Sequence, residues 1–356
     1  MPLSLRPTRL LPRRRPTVAA VADDTPALVA MEGVGRQYAD LTAVEGVTFD
    51  VPAGAILGII GPSGSGKTTL IRMLTGTLKP TSGSVRVLGE DPLKFRRQTR
   101  ERIGYMPQQF VLYPELTAAE NVAFVGSLFG LLWERRRRRV RAVLELVELW
   151  DARRRRASQL SGGMQRRLEL ACALVHEPIL LFVDEPTAGL DPLLRETIWE
   201  EFRRLRDQGR TLLVTTQYVG EAEHCDRVAV LVGGRLIALA EPEKLRRDAL
   251  GGDVIEVETS RAVDAQIVAD LPEILEVRQP TPRRLLLTTR DAGAATPRVL
   301  ARLAEEGITV TSSSEYRPSF DEVFAELVAR TQSGAAADGV AAAPSPESRR
   351  DATPAA

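Results

Sequence analysis

The chain has 356 residues, 44% of them apolar and 27% charged, which is too long for one small domain and apolar enough for one large core or two modest ones. Its 48 Lys and Arg residues against 47 Asp and Glu leave a formal net charge of +1, so no global electrostatic partner is implied and no nucleic acid is expected. Cys172 and Cys225 lie too far apart in sequence to suggest a disulfide framework, and no apolar run approaches the roughly 20 residues that span a bilayer, so a cytoplasmic protein is expected.

Residues 1–27 are rich in Arg, Pro and Ala without periodicity and read as a disordered tail; their arginines are not followed by the apolar stretch of a signal peptide. From 28 to about 248, apolar strand runs alternate with helical patterns, which predicts an α/β fold with a mostly parallel sheet. Strands are expected at 47–51, 55–60, 179–183, 211–215 and 228–231. Directly after the second comes Gly61-Pro62-Ser63-Gly64-Ser65-Gly66-Lys67-Thr68-Thr69, with Leu70, Ile71, Met73 and Leu74 continuing on an amphipathic helix. Strand, glycine-rich turn and helix in that order form a P-loop. Small residues let backbone N–H groups turn inward as an anion nest, and the helix start reinforces it. Lys67 would reach the β- and γ-phosphates of a nucleoside triphosphate, and Thr68 would ligate Mg²⁺. Lysine occurs only at 67, 79, 94 and 244 in a chain whose usual cation is arginine, so position 67 suits a site wanting a compact ammonium.

The arginine runs 135–139 and 153–156 are interleaved with Glu134, Glu145, Glu148 and Asp151 and read as solvated helix faces rather than acidic-ligand patches. Ser161-Gly162-Gly163 opens another amphipathic helix; Ser161 is either an ordinary N-cap or part of a second phosphate site. The buried-strand run 179–183 ends in Asp184-Glu185. Alone, such a pair reads equally as a turn or cap. With a P-loop upstream, Asp184 becomes the Mg²⁺ carboxylate and Glu185 the base that orients and deprotonates water.

Beyond Asp253 the pattern changes to strand 254–258, helix 263–271, strands 274–278 and 284–289, helix 296–306 and strand 308–312, a β-α-β-β-α-β order that predicts a small ferredoxin-like α+β domain over 249–331. A final helix starts at Ser319, with Glu322 completing a capping box and Phe320, Val323, Phe324 and Leu327 forming its apolar face. Residues 332–356 are rich in Ala, Pro, Ser and Gly and read as disordered.

The P-loop, the Ser161-Gly162-Gly163 signature, the second acidic motif and Ala188-Gly189-Leu190-Asp191, in that order and spacing, resemble the nucleotide-binding subunit of ATP-binding cassette (ABC) transporters over residues 28–248. The resemblance implies an ABC cassette with a helical subdomain at about 110–175 that receives a separate membrane permease, and a head-to-tail dimer enclosing two ATP molecules. Ser161, Gly162, Gly163 and Asp191 would then serve the partner protomer's nucleotide, Tyr38 would stack on adenine, and Gln108 would touch Mg²⁺ and the attacking water. Met164 and the segment Pro318-Ser319-Phe320-Asp321-Glu322-Val323-Phe324 are similar to drug- and antibiotic-exporter subunits. One position departs from the family: Gln217 stands where a histidine is usual, able to donate an amide hydrogen bond to the γ-phosphate but not to carry positive charge. The expected function is an exporter ATPase on the inner face of the cell membrane. Two alternatives remain at this point: a soluble ABC ATPase working on DNA or ribosomes, and an ATP-gated subunit without turnover.

Overall fold

The computed structural model describes residues 27–109 and 111–332; the tails expected before and after lie outside the described residues. In chain order, β1 (Ala27–Tyr38) and β2 (Leu41–Pro52) form a hairpin, followed by β3 (Ile56–Ile60), α1 (Lys67–Leu74) and β4 (Ser82–Val87), which pairs with β1. The short helix α2 (Arg97–Arg100) and β5 (Ile103–Met106) lead into three helices, α3 (Ala118–Leu128), α4 (Trp133–Leu146) and α5 (Gly162–Leu174). Then come β6 (Leu180–Asp184), α6 (Pro192–Asp207), β7 (Thr211–Thr216), β8 (Arg227–Val232), β9 (Arg235–Ala240) and α7 (Pro242–Leu250).

The main sheet has the order β5-β6-β7-β3-β8-β9, parallel except for the antiparallel edge strand β9. Every residue of β3, β6 and β7 is buried, which is why these three read as unbroken apolar runs: both faces of the sheet are covered. Alternate side chains serve two cores. Ile56, Ile60, Leu181, Val183, Leu212 and Val214 pack toward the helices, and Leu57, Ile59, Leu180, Phe182 and Leu213 toward α1 and the antiparallel sheet β2-β1-β4. The sequence reading found the all-buried strands and passed over β1, β4, β5 and β9. β1 carries register shifts that break its alternation, and four of the six residues of β4 are exposed.

Helices α3, α4 and α5 pack on one another, and Thr117 with Glu120 forms a full capping box at the start of α3. The two ends of the arginine run on α4 find partners within the chain: Arg135 pairs with Glu177 at 2.9 Å, and Arg139 donates to the carbonyls of Leu174 and Val175, both at 3.1 Å, while Arg137 and Arg138 are exposed. Arginine placed at the end of α5 thus caps carbonyls left over by the helix.

A four-stranded antiparallel sheet follows, built from β10 (Asp253–Thr259), β11 (Ile274–Thr281), β12 (Arg284–Thr289) and β13 (Val310–Glu315) in the order β11-β12-β10-β13. With α8 (Gln266–Ala269) and α9 (Ala292–Glu305) it encloses its own core around Val257, Val268, Leu287 and Leu303. This is the split β-α-β arrangement expected. The helix expected over 263–271 is only one turn, because Asp264 accepts the Gln266 N–H at 3.0 Å and the Gln279 side chain takes the Val263 carbonyl at 2.8 Å. α9 starts four residues earlier than expected, because Asp291 caps it by accepting the Ala294 N–H at 3.1 Å, and Pro297 is carried inside the helix. The last helix, α10 (Phe320–Gln332), does not join this sheet. Its residues Phe320, Val323, Phe324 and Leu327 pack instead into the main core against Ile60, Val219, Ala222, Val230 and Leu245.

Candidate nucleotide site

The glycine-rich turn links the end of β3 to α1. Gly64 and Gly66 have φ of +78° and +102°, the left-handed region that favours glycine. A Cβ on Gly61 would stand 2.1 Å from the Leu231 carbonyl oxygen, so the turn can sit this close to β8 only without a side chain. The Gly61 N–H donates to the Thr216 carbonyl at 3.3 Å, tying the turn to the end of β7. Gly66 offers no side-chain cap to α1, leaving the first N–H groups of that helix without intrahelical partners. Pro62 and Ser63 are exposed, Ser65 is buried with an unpartnered hydroxyl, and Thr69 is half-buried on the first turn.

Lys67 is buried, its Nζ donating to the carbonyls of Gly61 at 2.8 Å and Pro62 at 3.0 Å and standing 3.4 Å from a Glu185 oxygen. Parallel pairing of β6 with β7 sets Asp184 beside Thr215. The Thr215 hydroxyl donates to Asp184 Oδ1 at 2.5 Å, and the Thr68 hydroxyl reaches the same oxygen at 3.4 Å. Asp184 Oδ2 is buried without a partner, and burial raises the Asp184 pKa despite the hydroxyls that pull it down. A buried, orphaned carboxylate oxygen next to a threonine hydroxyl suits a hard cation such as Mg²⁺.

Glu185 is buried in left-handed backbone, φ +47°, an uncommon state for a residue other than glycine. Its N–H donates to the Thr215 hydroxyl at 3.0 Å, and its Oε2 accepts from Gln108 Nε2 at 2.8 Å. Gln108 thus reaches Glu185 from the loop after β5, across from the P-loop.

The other expected residues lie around this centre. Gln217 is exposed directly after β7, next to the Thr216 carbonyl that holds Gly61. Tyr38, at the tip of the β1–β2 hairpin, is 39% exposed, with the Arg36 guanidinium 4.4 Å from its ring centroid. The same hairpin touches the P-loop, since a Cβ on Gly66 would stand 2.5 Å from the Ala43 carbonyl oxygen. Ser161 caps α5, accepting the Met164 N–H at 3.4 Å, and both Ser161 and Gly162 are open surface. Gly163 turns inward, where a Cβ would stand 2.5 Å from Leu194 Cδ1. Asp191 is the exposed N-cap of α6, accepting the Leu194 N–H at 3.0 Å. The single chain therefore assembles Lys67, Thr68, Asp184, Glu185 and Gln108, and leaves Ser161, Gly162 and Asp191 facing outward. Thr215, which bonds both acidic residues, was missed from sequence; its only signal was its place at the end of a buried strand.

A lysine folded back into a glycine cradle, with a buried acidic strand end two strands away in a parallel sheet, defines the P-loop nucleoside triphosphatases. Residues 44–188 match the family described as ABC transporter, and residues 241–328 match that described as ATP-binding protein DrrA1-3-like, C-terminal domain. The chain is 38% identical over 301 residues to daunorubicin resistance ATP-binding protein DrrA3 of Streptomyces coeruleorubidus, spanning 84% of this chain and 95% of that one. Nod factor export ATP-binding protein I of Paraburkholderia xenovorans (strain LB400) is 42% identical over 232 residues, 65% and 76% of the two chains. A solved dimeric ATP-binding cassette in a post-hydrolysis state, bound to ADP and Pi, matches with a TM-score of 0.55 at 29% identity, over 60% of this chain and 98% of that one. The chain belongs to the ATP-binding subunits of ABC transporters, and its C-terminal part to the domain shared by the DrrA-like proteins. No helix among the described residues is long and apolar enough to cross a membrane.

Proposed function

We propose that this chain hydrolyses ATP to power an ABC exporter whose membrane-spanning subunit is a separate polypeptide. The observation that carries the reading is Glu185, a buried carboxylate bonded to Gln108 at 2.8 Å and beside Lys67 at 3.4 Å. In this reading residues 28–248 form the ATPase domain, with α10 packed onto its core, 110–175 its helical part, and 249–319 a small accessory domain. Gly61 to Thr69 and the first turn of α1 bind the triphosphate through backbone N–H groups, with Lys67 released from Gly61 and Pro62 to meet the β- and γ-phosphates. Thr68, Asp184 and Gln108 would hold Mg²⁺, which would supply charge neutralisation to the triphosphate. Glu185 accepts the proton of a water that attacks the γ-phosphorus in line as the bond from that phosphorus to the β–γ bridging oxygen breaks and ADP leaves; Gln108 orients the water and Gln217 donates an amide hydrogen bond to the γ-phosphate. Tyr38 offers its ring face to adenine.

Ser161, Gly162, Gly163 and Asp191 have no counterpart to act on within one chain, which supports a second copy placed head to tail so that each signature completes the other's site. Leu132, Trp133 and Leu128 are 80%, 72% and 68% exposed on the helical part, an apolar surface suited to a membrane partner and to peripheral association with the inner face of the membrane. Phosphate release tests the hydrolytic step. Wild-type chain should turn over ATP with Mg²⁺, and Glu185→Gln should bind ATP but lose turnover. Equal turnover in both would remove Glu185 from its role and the reading with it.

A further inference from the structure

Helix α5 carries the exposed Ser161 and Gly162 at its start and a buried ion pair little more than a turn later. Arg166 and Glu169, three residues apart and with side chains 4% and 1% exposed, meet at 2.8 Å. Both also hold the loop after β5. Arg166 Nη1 donates to the Pro107 carbonyl at 3.0 Å, Arg166 Nη2 donates to the Gln108 carbonyl, and Glu169 Oε1 accepts the Val111 N–H at 2.9 Å. The loop that bears Gln108 therefore hangs from α5 at three backbone points, and the Gln108 side chain ends 2.8 Å from Glu185. A planar guanidinium can bridge two adjacent carbonyls and a carboxylate in one fixed fork, which an ammonium cannot. A buried ion pair gains little for stability over a well-packed apolar pair, so its presence here invites a positional explanation.

We propose that Arg166 and Glu169 are positioning residues that transmit engagement of the Ser161-Gly162-Gly163 surface to Gln108, and through Gln108 to Glu185. Any shift or rotation of α5 on meeting the partner's nucleotide moves Pro107, Gln108 and Val111 with it, because the backbone of each is bonded to that helix. The catalytic base is thereby set in register when the dimer closes, coupling the two halves of the composite site. The inference rests on the hydrolytic reading above and adds to it the path between the signature and the base.

The test is steady-state ATPase of the full-length chain with three variants, Arg166→Lys, Gln108→Ala and the two together, alongside an Arg166→Met/Glu169→Leu variant that keeps the volume apolar. Arg166→Lys should lower kcat about 10- to 100-fold, the usual effect of misplacing a catalytic group, with KM and the thermal midpoint near wild type. The double variant should lose no more than Gln108→Ala alone, because both act through one residue. The Met/Leu variant should stay folded and be equally slow. Multiplicative losses in the double variant, or a Met/Leu variant that is folded and fully active, overturns the link. Wild-type turnover that Glu185→Gln abolishes separates the two failures: without it the hydrolytic reading falls and the link with it, whereas Glu185-dependent turnover untouched by Arg166→Lys overturns the link alone.

Discussion

The two signature glycines have opposite surroundings, and alanine at each should separate stability from activity. Gly162 sits on the first turn of α5 with no atom within 4 Å of the position a Cβ would take, and its φ is not in the left-handed region. Alanine there restricts the unfolded chain without a native clash, so Gly162→Ala should stabilise by about 0.4–1 kcal/mol, raising the melting midpoint by about 1–4 °C. The same methyl group projects from the face proposed to receive the partner's phosphate and should hold it away, lowering kcat by about 100-fold if the displacement approaches ~1 Å. Gly163 is the reverse case. A Cβ there meets Leu194 Cδ1 at 2.5 Å, and the half-buried leucine must leave its rotamer, at a cost of about 0.5–1.5 kcal/mol. Differential scanning fluorimetry and phosphate release on both variants give four readings. Gly162→Ala that is at least as stable as wild type and equally active would refute the assignment of this surface to phosphate. Gly162→Ala that melts lower would refute the open surroundings from which the argument starts.

Tyr38→Ala should weaken nucleotide binding by about 1–3 kcal/mol, the usual worth of one base stacked on an aromatic ring; a fluorescent ATP analogue titrated against both chains measures it, and unchanged affinity removes Tyr38 from the site. Gln217→Ala should slow turnover by about 2- to 10-fold, the value of one neutral hydrogen bond. The wild-type rate should stay flat from about pH 6 to 8, while Gln217→His should introduce a titration near the ordinary imidazole value; a wild-type profile with an inflection near that value would contradict this. Burial holds both histidines below the ordinary imidazole range, His176 stacked on Phe129 at 3.7 Å and His224 on Trp199 at 5.1 Å. Their contribution to stability is therefore complete above about pH 6.5 and is lost as the pH falls through the depressed folded-state values. Urea midpoints should hold above about pH 6.5 and drop as the pH falls below it, and His176→Gln should flatten that drop; an equally steep fall in the variant would count against it.

Much of the site was legible because it is built from contiguous backbone. The cradle from Gly61 to Thr69 and the Asp184-Glu185 strand end each lie within a few residues, and their flanking strands are buried on both faces, so composition alone marked them. What was not legible depends on contacts between distant segments. Thr215 meets Asp184 only because β7 pairs with β6, and the Arg166–Glu169 pair meets the Gln108 loop only because α5 packs against β5. An Arg and a Glu three residues apart on the apolar side of α5 were a signal that could have been read, since a charge pair facing a core needs a reason. The capping box at Ser319 was readable, with Glu322 accepting the Ser319 N–H at 2.8 Å, but the destination of α10 was not. Its apolar stripe fits either core, and what favours the main one is Arg246, which pairs with Glu223, lies 4.3 Å from the Phe320 ring centroid and donates to the Pro318 carbonyl at 3.2 Å.

On the proposed function, this ATPase works on a membrane-spanning partner that is a separate polypeptide. The most direct measurement is affinity purification of the tagged chain from detergent-solubilised membranes of its native host, with mass spectrometry of what accompanies it. A polytopic membrane protein in stoichiometric amount is the predicted result. Recovery only from the soluble fraction, alone or with ribosomes or DNA, would contradict it.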